Sequence, residues 1–276
     1  MNLSELLNFL DRIERRPSRA LSQNFLIDQN VAEKIVRTAD VAPGDAVLEI
    51  GPGPGALTTC LLDKGAKVFA VEKDPVFARE LRRLQTQDNR LFPIAADFLD
   101  GSLSELPSPL KVVANLPYHI TTPILEKLLE NRCLFSSLTI MVQSELADRI
   151  AASHGSKDFS SLSLFVQFHT EIVSSFKVGS SCFYPKPNVD SKVVKLALRP
   201  PPLEKSAPFF ALVRRAFQQR RKMLRVSLQP FFPAALLEKA LLDAGAEIHV
   251  RPEALSLDEW LAFYLFLSKD PAHGIL

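Results

Sequence analysis

A glycine-rich turn joins an apolar stretch to a helix-like stretch in the segment EIGPGPGALT, residues 49–58. Glycines at such a turn allow the tight bend and the close backbone approach that a nucleotide-like ligand requires. A pyrophosphate would also need backbone N–H donors here, and Pro52 and Pro54 have none. Because S-adenosylmethionine carries no phosphate, these prolines favour that methyl donor over a nicotinamide cofactor.

Polar residues end the apolar stretches that follow along the chain, with Glu72, Asp97 and Asn115 in these places. The carboxyl ends of consecutive parallel strands meet at one edge of a sheet, where open α/β sheets bind their ligands. Glu72 can accept hydrogen bonds from both ribose hydroxyls of either cofactor, and Asp97 can accept one from an adenine amino group. We therefore predict that these three side chains share one ligand site with Gly51.

The segment NLPYHI, residues 115–120, has the residue types that activate an adenine amino group. The lone pair of this nitrogen is delocalised into the ring, and two acceptors aimed at its two hydrogens localise the lone pair. The side-chain oxygen of Asn115 is one candidate acceptor, and the backbone carbonyl of Leu116 or of Pro117 is the other. Pro117 also stiffens the loop, which preorganises the acceptors, and Tyr118 can stack on a flipped base.

Strand-like and helix-like stretches alternate over the first half of the chain and must position these residues. This alternation predicts an α/β fold with a parallel, doubly wound sheet. Two later extended stretches, near 171–178 and 192–199, are expected to complete the sheet antiparallel at one edge. The predicted parallel strands are 46–50, 67–71, 91–96, 110–114 and 138–142, and the predicted helices lie at 3–14, from 28, at 55–64, after 75 and at 121–130.

A proline-rich stretch, RPPPLEKSAP at residues 199–208, interrupts this pattern and has the composition of a linker. The sequence therefore predicts one domain over residues 1–203 and a small, all-helical C-terminal domain over residues 204–276. The helices predicted in the second domain span roughly 207–222, 234–244 and 256–267.

Cationic residues concentrate in the helical C-terminal part, although the net charge of the whole chain is only +2. No acidic residue occurs between Ser206 and Leu237, and this interval contains Arg214, Arg215, Arg220, Arg221, Lys222 and Arg225. A second basic group near the N-terminus contains Arg12, Arg15, Arg16 and Arg19. Such clusters are either phosphate-binding surfaces or solvated helix faces, and the residues alone leave both interpretations open.

Composition argues against several classes of protein. The three cysteines are widely spaced and form no Cys-x-x-Cys pair, which suggests neither a disulfide framework nor a zinc knuckle. The five histidines have no partner at metal-ligand spacing, so we expect no metal site. Without a run of about 18 apolar residues or an uninterrupted N-terminal apolar stretch, we expect neither a membrane span nor a signal peptide. A reducing cytoplasm is the expected compartment.

Eight segments, in order from residue 22 to residue 228, resemble the small-subunit ribosomal RNA adenine dimethyltransferases, also called dimethyladenosine transferases. The combination of NLPY, QNFL and FxPxPxVxS is highly specific to that family. One minor departure is Ser22, where the family more often has glycine. The matching segments are SQNFLID (22–28), EIGPGPGALT (49–58), VEKDP (71–75), AADFL (95–99), NLPYHI (115–120), MVQSELADRI (141–150), FYPKPNVDSKVV (183–194) and AFQQRRKMLRVSL (216–228).

The resemblance implies a Rossmann-like methyltransferase that uses S-adenosylmethionine. Members of the family transfer four methyl groups onto two adjacent adenosines in the 3′-terminal hairpin loop of small-subunit (16S) ribosomal RNA. The expected partner is therefore this RNA within the assembling 30S subunit, and a monomer is expected. The resemblance also makes residues 204–276 an RNA-binding domain, and it makes the cations of the interval 214–225 expected RNA contacts.

By motif position, the resemblance also implies a role for each site residue. Asn24 and Leu26 would close over the donor, and Gly51 would line it. Glu72 would hold the ribose, and Asp97 would hold the adenine amino group. Asn115 would also bind the donor. Asn115 would border both the donor and the target, together with Leu116, Pro117 and Tyr118 of the same motif. Phe183 would face Tyr118 across the target base.

Three other functions remain as alternatives. A large-subunit ribosomal RNA adenine methyltransferase of the resistance type shares the chemistry, but NLPYHI and the helical C-terminal part favour the small-subunit group. A non-catalytic RNA-binding assembly or transcription factor on the same fold would tolerate damage in NLPY, which is intact here. A nicotinamide-dependent oxidoreductase is disfavoured by the two prolines of the glycine turn.

Overall fold

A seven-stranded sheet organises most of the chain in the computed structural model, which describes residues 1–18, 23–85 and 88–269. Two further short strands, β1 and β8, pair separately with each other. The strands are β1 (Phe25–Leu26), β2 (Ala46–Ile50), β3 (Lys67–Glu72), β4 (Leu91–Ala95), β5 (Leu110–Asn115), β6 (Phe135–Gln143), β7 (Thr170–Val178), β8 (Phe183–Tyr184) and β9 (Ser191–Leu198).

The sheet has the strand order β4-β3-β2-β5-β6-β9-β7, and β2 to β6 are parallel neighbours. Strands such as β2 and β5 consist largely of buried apolar residues, as expected where helices cover both faces of a parallel sheet. The chain adds strands first on one side of β2 and then, from β5 onward, on the other. The reversal at β2 and β5 is the topological switch point of a doubly wound fold, and the predicted fold class is confirmed.

The edge of the sheet beyond β6 differs in detail from the sequence-based expectation. Only β9 runs against the other strands, because it pairs antiparallel with both β6 and β7. β7, at the edge, therefore runs in the same direction as β6. The predicted antiparallel character is confined to one inner strand.

The helices begin and end close to the positions that the sequence indicated. Asp28 caps α2, as its oxygen Oδ1 accepts a hydrogen bond from the Val31 amide at 3.1 Å. Within the described residues, no helix combines the length and apolarity needed to cross a bilayer. The helices are α1 (Leu3–Arg12), α2 (Gln29–Thr38), α3 (Ala56–Asp63), α4 (Pro75–Gln85), α5 (Thr121–Glu130), α6 (Ser144–Ala151), α7 (Ser161–His169), α8 (Ala207–Gln218), α9 (Leu224–Leu228), α10 (Ala234–Asp243) and α11 (Leu257–Ser268).

The chain forms two compact units. The first contains residues 1–147 and 170–198, with all nine strands, and the second contains residues 148–169 and those from 199 onward. The second unit is helical, and its core includes the fully buried side chains of Trp260 and Phe263. The domain boundary at residue 203 stays a prediction; the compact units group residues 148–169 with the helical C-terminal part.

The sequence patterns did not indicate α6, α7, α9 or the β1–β8 pair. α7 buries residues on nearly every side, including Leu164, Phe165, Val166 and Phe168, so it lacks the one-sided apolar spacing of a surface helix. β1 and β8 have two residues each, which is too short for any periodic signal. Elements of this kind become visible only when their partners in space are known.

Candidate functional site

A cavity of about 1230 Å³, counted to its open mouth, lies in the first unit where β2, β3, β4 and β5 end. This is the switch point of the sheet, the usual ligand site of the fold. The structure brings nine of the predicted donor-binding and catalytic residues together in the lining: Asn24, Leu26, Gly51, Glu72, Asp97, Asn115, Leu116, Pro117 and Tyr118. Their individual roles stay predictions.

The glycine turn forms one wall of the cavity. Gly51, Gly53 and Gly55 have φ angles of +66°, +54° and +92°, a region that residues with a Cβ rarely adopt. The Gly51 amide donates to the Val71 carbonyl at 2.9 Å, which joins the turn to the end of β3. A Cβ at position 53 would lie 3.1 Å from the Phe25 ring. The backbone angle therefore favours glycine at all three positions, and the limited space beside Phe25 adds to this at Gly53.

Glu72 is held at the end of β3 by backbone donors. Its oxygen Oε2 accepts from the Gly53 amide at 3.0 Å, and Oε1 accepts from the Asp74 amide at 2.8 Å. Burial raises the pKa of Glu72, and the hydrogen bonds from these amides lower it in part. A carboxylate has about four lone-pair positions. With the amides of Gly53, Asp74 and Lys73 as donors, Glu72 can still accept a further hydrogen bond from a ligand in the cavity.

Asp97 forms an ion pair that the sequence did not reveal. Lys73 Nζ donates to Asp97 Oδ2 at 2.6 Å, and the Leu99 amide donates to Oδ1 at 2.9 Å. The hydrogen bond from Lys73, then that from Leu99, lowers the pKa of Asp97 below its usual range. The carboxylate therefore stays charged to unusually low pH and faces the cavity as an acceptor.

Replacing Lys73 by methionine should raise the pKa of Asp97 toward the ordinary value of about 4. A lowered carboxyl pKa means that the charged form persists until the pH falls below that pKa, so the variant should protonate at a higher pH than the wild type. Carboxyl ¹³C NMR titration of Asp97 measures this shift. Lys67→Met, at the start of β3 and outside the cavity lining, serves as the control. An identical titration in wild type and Lys73→Met would mean that Lys73 does not set this pKa.

Asn115 presents a buried acceptor without a partner. Its amide nitrogen Nδ2 donates to the Asn24 carbonyl at 3.3 Å, which fixes the orientation of the side chain. The oxygen Oδ1 is inaccessible to water and accepts no hydrogen bond from the described residues. A buried polar atom left unpaired is costly, and because Asn115 belongs to the lining of the cavity, a bound ligand could supply the missing N–H or O–H donor.

The carbonyls of Leu116 and Pro117, the two candidates for the second acceptor, differ in the hydrogen bonds that they already make. The Pro117 carbonyl already accepts from Thr121 Oγ1 at 2.9 Å and from the Ile120 amide at 3.2 Å. These bonds close the turn that leads into α5. The Leu116 amide donates to Met141 of the neighbouring strand at 3.0 Å. The loop is thus fixed at both sides of the Leu116 carbonyl.

Tyr118 is anchored through its hydroxyl, which lies 2.7 Å from Ser191 Oγ at the start of β9. Burial raises the pKa of the Tyr118 phenol, with the Ser191 contact lowering it in part. The tyrosine is therefore neutral at physiological pH, and it lines the cavity as a fixed aromatic ring. This is the arrangement needed to stack on a flat ligand.

Phe183, expected to face the target base, is buried in the core and lies outside the cavity lining. Only 2% of Phe183 is exposed, and it packs in the core with Ile35 and Val178 and does not line the cavity. The cause is the β1–β8 pair, in which Phe183 lies opposite Leu26 and its side chain extends into the core. The stacking role of Phe183 opposite Tyr118 stays a prediction.

Glu49 is a cavity residue that the sequence reasoning missed. It is almost fully buried, and Thr58 Oγ1 donates to its Oε2 at 2.7 Å. Burial raises the pKa of Glu49 to about 8, with the neighbouring charge of Glu72 adding to the rise. The carboxyl is therefore mostly protonated at neutral pH, which leaves Glu72 and Asp97 as the anionic groups of this wall. An acidic residue within an otherwise apolar strand was the available signal.

The six cations of the interval 214–225, in the second unit, fall into two groups. Three of them are engaged within the unit: Arg220 pairs with Glu253 at 3.9 Å, Arg225 pairs with Glu238 at 3.2 Å, and the Arg215 guanidinium lies 4.2 Å from the centre of the Phe231 ring. The other three are exposed and pair with no acidic residue in the described part of the chain: Arg214, Arg221 and Lys222.

The N-terminal arginines are partly committed to the first unit. Arg12 pairs with the buried Glu80 at 3.0 Å, and Arg15 lies 3.7 Å from Asp74. The Arg12 contact holds the end of α1 against α4. The Arg15 contact holds the residues after α1 near Asp74, which directly precedes α4. Arg16 is exposed, and Arg19 and Ser22 lie outside the described residues. The N-terminal arginines therefore help to attach α1 to the first unit, and they form a free basic surface only in part.

Comparisons with known proteins indicate the family of this chain. A family model described as ribosomal RNA adenine dimethylase matches residues 15–269. The chain is 48% identical, over 98% of both chains, to the ribosomal RNA small subunit methyltransferase A of Protochlamydia amoebophila. A crystal structure of a dimethyladenosine transferase from Plasmodium falciparum is 26% identical with a TM-score of 0.78, and the match covers 89% of this chain and 98% of that one.

A second solved structure, the 23S rRNA methyltransferase ErmE, is 30% identical with a TM-score of 0.70. The match covers 89% of this chain and 100% of that one. Both solved structures therefore share the fold over 89% of this chain. The relative at 48% identity is named for the small ribosomal subunit.

Proposed function

This chain belongs to the ribosomal RNA adenine dimethylase family, and from that premise we propose that it dimethylates two adjacent adenosines of small-subunit (16S) ribosomal RNA. The target is the loop of the 3′-terminal hairpin, the partner is the assembling 30S subunit in the cytoplasm, and the enzyme acts as a monomer. The observation that carries the proposal is the buried, unpaired Oδ1 of Asn115 beside the glycine turn.

The cavity fits S-adenosylmethionine by its chemistry. When bound, this donor supplies a methyl carbon made electrophilic by the positive sulfonium. Glu72 retains acceptor capacity for the ribose hydroxyls, and Asp97 is an ionised acceptor for the adenine amino group. Gly51 leaves the wall open for close approach of the donor, and Asn24 and Leu26 line the cavity beside it.

Asn115 and Leu116 activate the target amine. Asn115 Oδ1 accepts from one amino hydrogen, and the Leu116 carbonyl accepts from the other, because the Pro117 carbonyl already accepts two hydrogen bonds. The two acceptors localise the nitrogen lone pair and stabilise the positive charge that develops on nitrogen. Tyr118 stacks on the base and holds its amino group toward the methyl position.

The reaction requires no general base with a shifted pKa to remove the proton from the amino group. The amino nitrogen forms a bond to the methyl carbon while the carbon–sulfur bond breaks. The alkylated nitrogen is then strongly acidic and loses one proton to water. Asn115 and Leu116 carry no titratable group, and the cavity residues Glu72 and Asp97 serve as acceptors for the donor. A second methylation repeats these steps on the monomethylated base.

Incubation of unmodified small subunits with labelled S-adenosylmethionine tests the proposal. Mass spectrometry of the isolated RNA should find dimethyladenosine at two adjacent positions in the 3′-terminal hairpin loop. Label on large-subunit RNA instead would favour the resistance-type activity, for which ErmE is the structural neighbour. Absence of label from both RNAs would overturn the catalytic proposal and leave a non-catalytic binding role.

The exposed cations of the second unit are expected to bind RNA phosphates. Changing Arg214, Arg221 and Lys222 together to glutamine should weaken binding and lower the slope of log K against log[salt] by about 2 to 3, since each phosphate contact contributes roughly 0.7 to 0.9. Titration of labelled small-subunit RNA over a salt series measures both quantities. Arg225→Gln, a cation already paired with Glu238, is the matched control with a smaller expected effect. An unchanged slope in the triple variant would place the RNA surface elsewhere.

A further inference from the structure

An arginine and a phenylalanine form an exposed stack in the second unit. The Arg215 guanidinium, near the end of α8, lies 4.2 Å from the centre of the Phe231 ring, which follows α9. Phe231 is 42% exposed, the most exposed phenylalanine of the described chain. The pair therefore presents a flat, cationic and partly apolar surface to solvent.

The charge of this stack is not neutralised inside the unit. Arg220 and Arg225 each pair with a glutamate, whereas Arg215 pairs with no carboxylate among the described residues. The interval from Ser206 to Leu237 also contains no acidic residue. The aromatic contact thus fixes the position of Arg215 and leaves its hydrogen-bond donors available for an anion.

The backbone around Phe231 is restrained. Prolines precede and follow the pair of phenylalanines in the segment QPFFP, residues 229–233, and the Phe231 amide donates to the Leu228 carbonyl at 2.9 Å. Proline fixes φ and lowers the entropy lost when a loop is ordered. The aromatic ring is therefore held in its exposed position before any ligand arrives.

From these observations we infer that Arg215 and Phe231 form a stacking platform for an unpaired base of the RNA substrate. Unstacked bases of folded RNA stack on aromatic rings and on arginine guanidinium planes. Arg215 would also bind the phosphate beside that base, with the exposed Arg214 as a second cation. The inference rests on the proposed RNA substrate, and it assigns Arg215 to base stacking as well as phosphate binding.

The test separates stacking from charge. Phe231→Leu keeps an apolar side chain and removes the aromatic ring, whereas Phe231→Tyr keeps the ring. Binding of labelled, unmethylated small-subunit RNA is measured for both over a salt series. We expect Phe231→Leu to weaken binding about 10-fold with an unchanged salt slope, since stacking of a base on an aromatic ring adds affinity without adding charge. We expect Phe231→Tyr to bind as the wild type does.

Leu265→Ala is the matched control, because Leu265 is a similarly exposed apolar residue of the same unit, at 44%. Its RNA affinity should equal that of the wild type. Wild-type affinity of Phe231→Leu, or equal losses in the leucine and tyrosine variants, would overturn the platform. Methylation of the two hairpin adenosines at saturating RNA is measured in parallel. If Phe231→Leu binds normally and methylation by the wild type proceeds, the platform fails while the proposed function stands.

Discussion

Replacing Asn115 by alanine should lower kcat for adenine methylation by about 100- to 1000-fold, the usual effect of removing one preorganised polar group that stabilises developing charge. The substitution deletes the buried Oδ1, which accepts no hydrogen bond from the described residues. The Leu116 carbonyl alone would leave one amino hydrogen without an acceptor, and the lone pair would stay delocalised in the ring.

The variant should still fold and bind the donor. It loses the half-buried bond from Nδ2 to the Asn24 carbonyl, which is worth about 1 kcal/mol of folding free energy. Gly51, Glu72 and Asp97 remain to hold the donor. A large fall in kcat with donor affinity changed severalfold at most would identify a role in the chemical step.

Single-turnover methylation with saturating donor and RNA measures the effect, and calorimetry measures donor binding. Asn131→Ala is the matched control, because Asn131 also donates from Nδ2 to a backbone carbonyl, that of Lys127 at 2.8 Å, outside the cavity lining. The control should turn over at the wild-type rate. A wild-type rate from Asn115→Ala would refute the activating role of its amide oxygen.

Replacing Glu72 by glutamine should weaken binding of S-adenosylmethionine by about 10- to 100-fold. Hydrogen bonds to a charged acceptor contribute about 1.5–3 kcal/mol each, and glutamine removes the charge and one of the two acceptor oxygens. The new NH₂ group would also face the amide of Gly53 or of Asp74, both of which now donate to Glu72. The turn and the ribose position should therefore be disturbed together.

Equilibrium binding of the donor, followed by calorimetry, tests this expectation. Glu33→Gln is the control, because Glu33 is an exposed acid of α2 that pairs with Arg37 and does not line the cavity. The thermal midpoint of each variant reports whether the turn has unfolded. Unchanged donor affinity in a folded Glu72→Gln variant would remove Glu72 from the donor site.

Local sequence patterns determined the sheet and the location of the site. Apolar stretches of strand length alternate with helical ones, which permits few arrangements other than a doubly wound sheet. The polar residues Glu72, Asp97 and Asn115 each end such a stretch, so the fold class alone brings them to one edge. The prolines and glycines of residues 51–55 restrict the turn through their own backbone angles.

Tertiary structure decided which partner each side chain has. The Lys73–Asp97 ion pair and the Tyr118–Ser191 contact join residues 24 and 73 positions apart, and no periodic spacing encodes such pairs. The same applies to Phe183, whose position depends on a two-residue strand pair. Hydrogen bonds and packing between distant segments depend on the three-dimensional arrangement of the backbone, and a single sequence does not reveal it directly.

The cations of residues 214–225 show the same difference between what the sequence determined and what the tertiary structure decided. The sequence located six cations between residues 214 and 225, and the family resemblance implied a common role for them in RNA binding. Only the folded unit brought Glu253 to Arg220, Glu238 to Arg225 and the Phe231 ring to Arg215. Composition thus determined the sign of the charge, and the packing of helices decided which of these charges remain available to a ligand.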